Sequence, residues 1–201
     1  MKVEHLEVLV EEPSMEALLR GLLPRILGDV TFEVYPSQCK DELLDRLPAR
    51  LRGYAGWLPS SWRIVVVVDR DEDDCRELKR RLEGMTAAAG LVSRTRSAGG
   101  SYSVVHRIVI EELEAWYFGD WDAVRQAYPR VSPTVPTREK YRDPDRIRGG
   151  TWEAFERVLK RNGYFETGLR KIEAHGTSGA FSIHAAIGRA ASTRSIGSWW
   201  S

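Results

Sequence analysis

The chain has 201 residues, with 30 basic and 29 acidic side chains and a formal net charge of +1. This length fits one domain, or one domain with an appendage, and a net charge near zero indicates no class of partner by itself. No stretch reaches the roughly 18 consecutive apolar residues of a membrane helix, and the N-terminus lacks the apolar core of a signal peptide. We therefore expect a cytoplasmic protein that does not interact with a membrane.

The first part of the chain alternates between predicted strands and helices. Strands are predicted at 3–10, 30–35, 63–69 and 104–110, and helices at 14–27, around 43–51, at 73–89 and at 111–118. Continuous apolar runs such as Ile64 to Val68 are typical of buried parallel strands. This order predicts an α/β layered domain with a mainly parallel sheet flanked by helices.

Local residue types predict how two of these helices begin. Ser14 is the expected N-cap of the first helix. Asp73 and Asp74 are expected in the first turn of the third, where the helix macrodipole favours negative charge. Cys39 and Cys75 lack metal-type spacing, so we expect both to be buried, reduced thiols.

After about residue 119 the alternation between predicted strands and helices ends. Prolines at 129, 133, 136 and 144 separate short helical pieces, and an amphipathic helix is predicted at 151–162. One face of that helix carries Trp152, Phe155, Val158 and Leu159. We therefore predict an α/β domain at 1–118, a helical appendage at 119–173 that packs on it, and an atypical tail at 174–201.

Three acidic residues lie where predicted strands end. Glu11 follows the first apolar run, Asp69 follows the run Ile64 to Val68, and Asp71 comes two residues later. Parallel strands end at the same edge of a sheet, where open α/β sheets bind ligands. In an extended segment, Asp69 and Asp71 would also point to the same side. Clustered carboxylates repel one another unless a cation lies between them, and oxygen ligands suit Mg²⁺. The pattern predicts a magnesium site, although acids at the start of a helix are an alternative explanation for Asp71.

Two further charged groups are candidates for the same site. Glu111 and Glu114 are three residues apart and could share one helical face, or they could simply begin a solvated helix. The segment 138–148 contains a loose basic cluster consisting of Arg138, Lys140, Arg142, Arg146 and Arg148. Such a cluster could contact phosphates, but it could equally be a solvated surface.

Several established patterns are absent from the sequence. It contains no GxGxxG, no GxxxxGK[ST] and no GxSxG, and its four histidines have no ligand spacing. The sequence therefore gives no support for a dinucleotide site, a P-loop or a serine hydrolase.

A strand-terminal Glu followed by a helix, with a later DxD, resembles the Toprim fold, and the chain is more closely similar to the bacterial DUF4276 family. The similar segments, which cover about residues 1–173, are VEEPSME at 10–16, VVDRD at 67–71, IEELEAW at 110–116, YRDP at 141–144 and GGTWE at 149–153. The resemblance implies that Glu11 is an acid–base residue or a metal ligand, that Asp69 and Asp71 are metal ligands, and that Glu114 is a further acid. Many Toprim motifs carry Gly directly after the Glu, whereas this chain has Glu12.

The tail departs from this resemblance. It is rich in Ala, Ser and Gly, has no acid after Glu173, and ends in Trp199-Trp200-Ser201, whereas the family tends to continue with a basic segment. We hypothesise a frameshift near residue 174. One uninterrupted reading frame on resequencing, with the same tail in homologues, would refute it.

The functional expectation is a metal-dependent Toprim-like nuclease that uses Mg²⁺ or Mn²⁺ to hydrolyse phosphodiesters of a nucleic acid. Glu11, Asp69 and Asp71 would be catalytic, and Arg70, Arg138, Lys140 and Arg142 would hold the substrate backbone. The resemblance also suggests an AAA- or ABC-type ATPase partner in a bacterial defence system. A catalytically inactive subunit that docks on such an ATPase is the alternative. A receiver-like phosphoacceptor domain fits less well, because it would need a Lys after its last strand.

Overall fold

The computed structural model describes residues 2–109 and 113–164. The chain divides into two compact units. The first comprises Met1–Glu16 and Leu27–Val109, and the second comprises Ala17–Ile26 together with the described residues after position 112.

The first unit contains a sheet of four parallel strands. Its elements are β1 (His5–Val10), the helix α1 (Pro13–Leu27) that runs through both units, β2 (Thr31–Pro36), α2 (Lys40–Ala55), β3 (Trp62–Asp69), α3 (Cys75–Ala88), a 3-10 helix (Arg94–Arg96) and β4 (Val104–Val109). The strand order is β2-β1-β3-β4, and all pairs are parallel. The predicted α/β layered fold with a parallel sheet and flanking helices is confirmed.

The central strand β3 is buried along almost its whole length, as is typical of strands in a parallel sheet. On one face, Ile64, Val66 and Val68 join a core with the leucines of α2 and α3. Those leucines are Leu43, Leu44, Leu47, Leu51, Leu78 and Leu82. Each fully buried aliphatic side chain contributes about 1.5–3 kcal/mol, so this layer fixes the position of the strand ends.

The register places the end of β1 beside the end of β3. Val10 pairs with Val67, and β3 continues for two further residues to Asp69. Glu11, the residue after β1, therefore lies at the same level as the end of β3.

Some local predictions were wrong. Ser14 is not an N-cap, since α1 begins at Pro13 and the Ser14 hydroxyl donates to the Glu12 carboxylate. Asp74 is not within the first turn of α3 but is its N-cap, accepting hydrogen bonds from the amides of Arg76 and Glu77. Asp73 precedes that cap.

The two cysteines are free, as expected, but they are not buried. Cys39 is exposed and Cys75 is half-buried, because they lie at the starts of α2 and α3 rather than on the faces that pack on the sheet.

The described part of the second unit after residue 112 is helical. It contains α4 (Glu114–Gly119), α5 (Trp121–Ala127), two 3-10 helices (Glu139–Tyr141 and Pro144–Arg146) and α6 (Thr151–Arg161). The ring of Phe118 stacks on Trp121 and Tyr141 and meets Phe155 edge-on. The predicted apolar face of α6 is confirmed, since Trp152, Phe155, Val158 and Leu159 are buried.

Parts of two predictions fall outside the described residues. Glu111 and Glu112 do so, and so does the tail at 174–201. Among the described helices, none has the length and apolar character needed to cross a membrane.

Candidate functional site

Two of the predicted acids lie side by side at the carboxyl end of the sheet. Glu11 immediately follows β1, and Asp69 is the last residue of β3. Glu11 Oε2 accepts a hydrogen bond of 3.0 Å from the backbone amide of Asp69. Since β2 lies on one side of β1 and β3 on the other, this is the point where the strand order reverses. Ligands of open α/β sheets bind at such a position.

The surroundings of Glu11 favour its neutral form. Burial is the largest cause and raises its pKa from 4.5 to about 7. The hydrogen bond from the Asp69 amide lowers the pKa, and the negative charge of Asp71 raises it again. A carboxyl group with this pKa exchanges protons near neutral pH, as a general acid or base must.

Asp71 adopts a different conformation from the one that was predicted. Its φ of 49° lies in the left-handed region, so the segment from Asp69 to Asp71 is not extended. The extended backbone on which the alternation prediction depended is therefore not present at Asp71. Its side chain is 53 % exposed and forms an ion pair with Lys40, at 2.6 Å.

Lys40 is a component of the site that the sequence analysis missed. Its side chain is only 12 % exposed, and Nζ lies 2.6 Å from Asp71 Oδ2 and 3.0 Å from Asp73 Oδ2. It also donates to the backbone carbonyl of Arg70, at 3.1 Å. Three contacts match the three donors of an ammonium group, so Lys40 fastens the loop between β3 and α3.

The charge of Lys40 depends on these contacts. Burial alone would lower its pKa, but the hydrogen bonds to Asp71 and Asp73 outweigh burial and raise it. Lys40 is the first residue of α2, where the macrodipole disfavours a cation. A lysine between the second predicted strand at 30–35 and the helix predicted around 43–51 was the only sign of this role in the sequence.

The donors at this edge are of the type that suits a hard cation. Glu11, Asp69 and Asp71 provide only carboxylate oxygens. The ion pair with Lys40 places a positive charge next to Asp71. Within residues 2–109 and 113–164, no three His, Cys, Asp or Glu side chains are grouped closely enough to hold one metal ion. The magnesium site stays a prediction.

The other predicted acidic and basic residues include Arg70, in the first unit, and Glu114, in the second. Arg70, whose Nε lies 3.4 Å from the carbonyl of Asp71, belongs to the loop after β3. Glu114 is the first residue of α4, in the second unit, and is 6 % exposed.

Arg138, Lys140 and Arg142 are exposed and also belong to the second unit. Lys140 lies over the ring of Tyr141, and Arg142 contacts the carbonyl of Thr137. The roles of these residues stay predictions.

A family model described as a domain of unknown function, DUF4276, matches residues 10–201. The chain belongs to the DUF4276 family. The range matched to DUF4276 includes Glu11, Asp69, Asp71 and Glu114. It also runs through the tail at 174–201, so the prediction that the family resemblance ends near residue 173 was wrong. No curated protein and no solved structure matches the chain significantly.

Proposed function

We propose that this DUF4276 protein is a metal-dependent nuclease with a Toprim-like catalytic domain that hydrolyses phosphodiester bonds. The observation that carries the proposal is the pairing of Glu11 and Asp69 at the carboxyl edge of β1 and β3, joined by the 3.0 Å hydrogen bond. Both residues belong to the motifs that resemble the Toprim fold, and the sheet's switch point is where such a site belongs.

Glu11 is the proposed acid–base residue. With a pKa of about 7, both of its protonation states are populated at neutral pH. It can therefore accept a proton from an attacking water or return one to a leaving oxygen.

Glu11, Asp69 and Asp71 would hold Mg²⁺ or Mn²⁺, with Glu114 as the further acid that the family resemblance implies. When bound, such an ion lowers the pKa of water and stabilises negative charge that develops on a phosphate. The loop fastened by Lys40 would keep Asp71 near this edge.

Arg70, Arg138, Lys140 and Arg142 are the residues proposed to hold the nucleic-acid backbone. We further propose a cytoplasmic location and an ATPase partner of the AAA or ABC type in a bacterial defence system. These proposals rest on the family resemblance and on the exposed positions of Arg138, Lys140 and Arg142.

The test is cleavage of plasmid, single-stranded DNA and RNA with Mg²⁺ or Mn²⁺. We expect the wild type to cleave at least one substrate and the D69A/D71A variant to lose cleavage while retaining its circular dichroism spectrum. The matched control is E72A, which removes an exposed acid from the same loop. Cleavage by D69A/D71A at the wild-type rate would refute the proposal.

A non-catalytic interaction subunit is the second candidate. The ion pair between Lys40 and Asp71 favours it, because a lysine that neutralises the acid makes a metal unnecessary for stability. In this case neither the wild type nor any variant would cleave, with or without the ATPase. D69A/D71A would still bind the partner.

A further inference from the structure

The positive charge of the first unit is concentrated at one side of the sheet. Residues 1–16 and 27–74 of this unit contain fifteen acids and seven lysines or arginines, whereas residues 75–109 contain two acids and seven lysines or arginines. The second segment comprises α3, the 3-10 helix and β4, the outer strand of the described sheet.

Four of these cations form a cluster that we call the basic edge, defined as Lys79, Arg94, Arg96 and Arg107. Lys79 Nζ and Arg96 Nε each lie 3.6 Å from the carboxylate of Glu83. Arg94 belongs to the same 3-10 turn as Arg96, and Arg107 belongs to β4.

Glu83 pairs with two members of the basic edge, Lys79 and Arg96, and it cannot balance the charge of both. It is buried, and its carboxylate already accepts hydrogen bonds from the hydroxyl of Ser93 and from His106 Nδ1. Burial lowers the pKa of His106, which favours its neutral ring, although the neighbouring Glu83 opposes this effect. One carboxylate shared by Lys79 and Arg96 cannot balance the charge of both cations, and Arg94 adds an exposed positive charge in the same turn as Arg96.

The cations also act on one another. The pKa of Arg107 is lowered by burial first and by the positive charge of Arg94 second. Burial lowers the pKa of Lys79, and Arg107 adds to that effect while Glu83 opposes it. Neighbouring cations that lower one another's pKa repel one another, and an anion that bridges them would relieve this repulsion.

The surface beside the basic edge is accessible to a chain of phosphates. The side chain of Arg96 is 56 % exposed, and Arg94 is exposed as well. The loop that follows is Ser97-Ala98-Gly99-Gly100-Ser101, which has no acid and no bulky side chain. A sugar–phosphate backbone could therefore approach the two arginines closely, and such contacts dominate the affinity of proteins for nucleic acids.

We propose that the basic edge, formed by Lys79, Arg94, Arg96 and Arg107, binds the phosphate backbone of a nucleic acid. This inference deepens the proposed nuclease, on which it rests for the kind of ligand. It locates the main electrostatic contact on the first unit, whereas the sequence pattern pointed to the basic cluster that includes Arg138, Lys140 and Arg142.

Binding is measured by fluorescence anisotropy in EDTA, with labelled single-stranded DNA, duplex DNA and RNA, over a series of salt concentrations. The test variant is R94Q/R96Q. The matched control is R46Q/R52Q, which removes two exposed arginines of α2 and changes the net charge equally. A second comparison is R138Q/R142Q.

We expect R94Q/R96Q to raise Kd roughly tenfold at low salt and to lower the slope of log K against log salt by about 1.5 to 2. R46Q/R52Q should bind like the wild type, and R94K/R96K should retain most of the affinity because it keeps the charge. Equal Kd values and slopes for R94Q/R96Q and R46Q/R52Q would overturn the inference. So would displacement of the nucleic acid by polyglutamate as readily as by DNA.

The two proposals fail in distinguishable ways. Binding that depends on Arg94 and Arg96 without any cleavage in Mg²⁺ would leave the basic edge in place and refute the nuclease. Cleavage that depends on Asp69, together with normal nucleic-acid binding by R94Q/R96Q, would support the nuclease and refute the role of the basic edge.

Discussion

At the scale of single residues, Glu11 links the chemistry of the site to protein stability. Its pKa in the folded protein is about 7, above the ordinary 4.5, because burial disfavours the carboxylate. Between these values the folded state binds more protons than the unfolded state. The contribution of Glu11 is therefore fully present below pH 4.5 and is lost as the pH rises through about 7.

The variant E11Q tests this directly. Gln keeps an oxygen that can accept from the Asp69 amide but cannot ionise. In EDTA, we expect the free energy of unfolding of E11Q to exceed that of the wild type increasingly as the pH rises from 4.5 to about 8. Chemical denaturation across this range measures it, with E72Q as the control for an exposed loop carboxylate. Parallel curves for E11Q and the wild type would contradict the prediction.

Lys40 is the residue whose removal best separates a structural ion pair from a metal site. In K40M, Asp71 and Asp73 lose their cation but remain about half exposed to water, so the loss of stability in EDTA should be only about 1 kcal/mol. If the acids hold Mg²⁺, the ion should replace the ammonium and raise the Tm of K40M more than that of the wild type.

Thermal unfolding with and without Mg²⁺ measures this difference. R46M is the control, since Arg46 pairs with Glu42 on the exposed face of the same helix. An identical Mg²⁺ response in the wild type, K40M and R46M would argue that this loop binds no metal and that Lys40 serves only the fold.

At the scale of elements, the central strand β3 carries both the core and the site. Val66 is fully buried between neighbouring strands and beneath the leucines of α2 and α3. A charge at this position would have no partner, and an unpaired buried charge costs several kcal/mol, comparable with the whole stability of a domain.

We therefore expect V66D to be unfolded or insoluble, whereas V92D should fold. Val92 is also a valine of the first unit but is 44 % exposed, so the new carboxylate stays in water. Circular dichroism and gel filtration of the two variants provide the measurement. A folded, monodisperse V66D would show that β3 is not the centre of the core.

The acidic residues in the loop between β3 and α3 have different structural roles. Asp74 caps α3 through the amides of Arg76 and Glu77, and Lys40 holds Asp71 and Asp73. The four consecutive acids at 71–74 therefore do not share one role. Asp74 caps the helix, whereas Asp71 and Asp73 form ion pairs with Lys40. Propensity rules do not separate these roles, because each residue type suits both.

At the scale of the whole molecule, charge is distributed unevenly although the net charge is only +1. In the first unit, Glu11 and Asp69 lie at the carboxyl ends of β1 and β3, whereas most of the arginines after residue 74 lie in α3 and the 3-10 helix. A nuclease needs both kinds of surface, since carboxylates hold a cation while arginines and lysines hold the phosphates. The nearly equal numbers of acidic and basic residues in the composition give no sign of this arrangement.

The two units interleave in the chain, because Ala17–Ile26 of α1 belongs to the second unit. A division at one point of the sequence, such as the predicted boundary after residue 118, does not reproduce this pattern. Amphipathic periodicity identifies α1 as a helix with a buried face but does not say which elements that face meets.

The sequence by itself determined the strands, the parallel sheet, the apolar face of α6 and the proximity of Glu11 to Asp69. These follow from apolar runs, from helical periodicity and from the rule that parallel strands end together. Only the tertiary structure decided the left-handed backbone at Asp71, the ion pair between Lys40 and Asp71, and the sharing of Glu83 by Lys79 and Arg96. The contacts of Lys40 with Asp71 and of Arg96 with Glu83 join side chains from separate elements, so their formation depends on how the helices pack on the sheet rather than on local residue preferences.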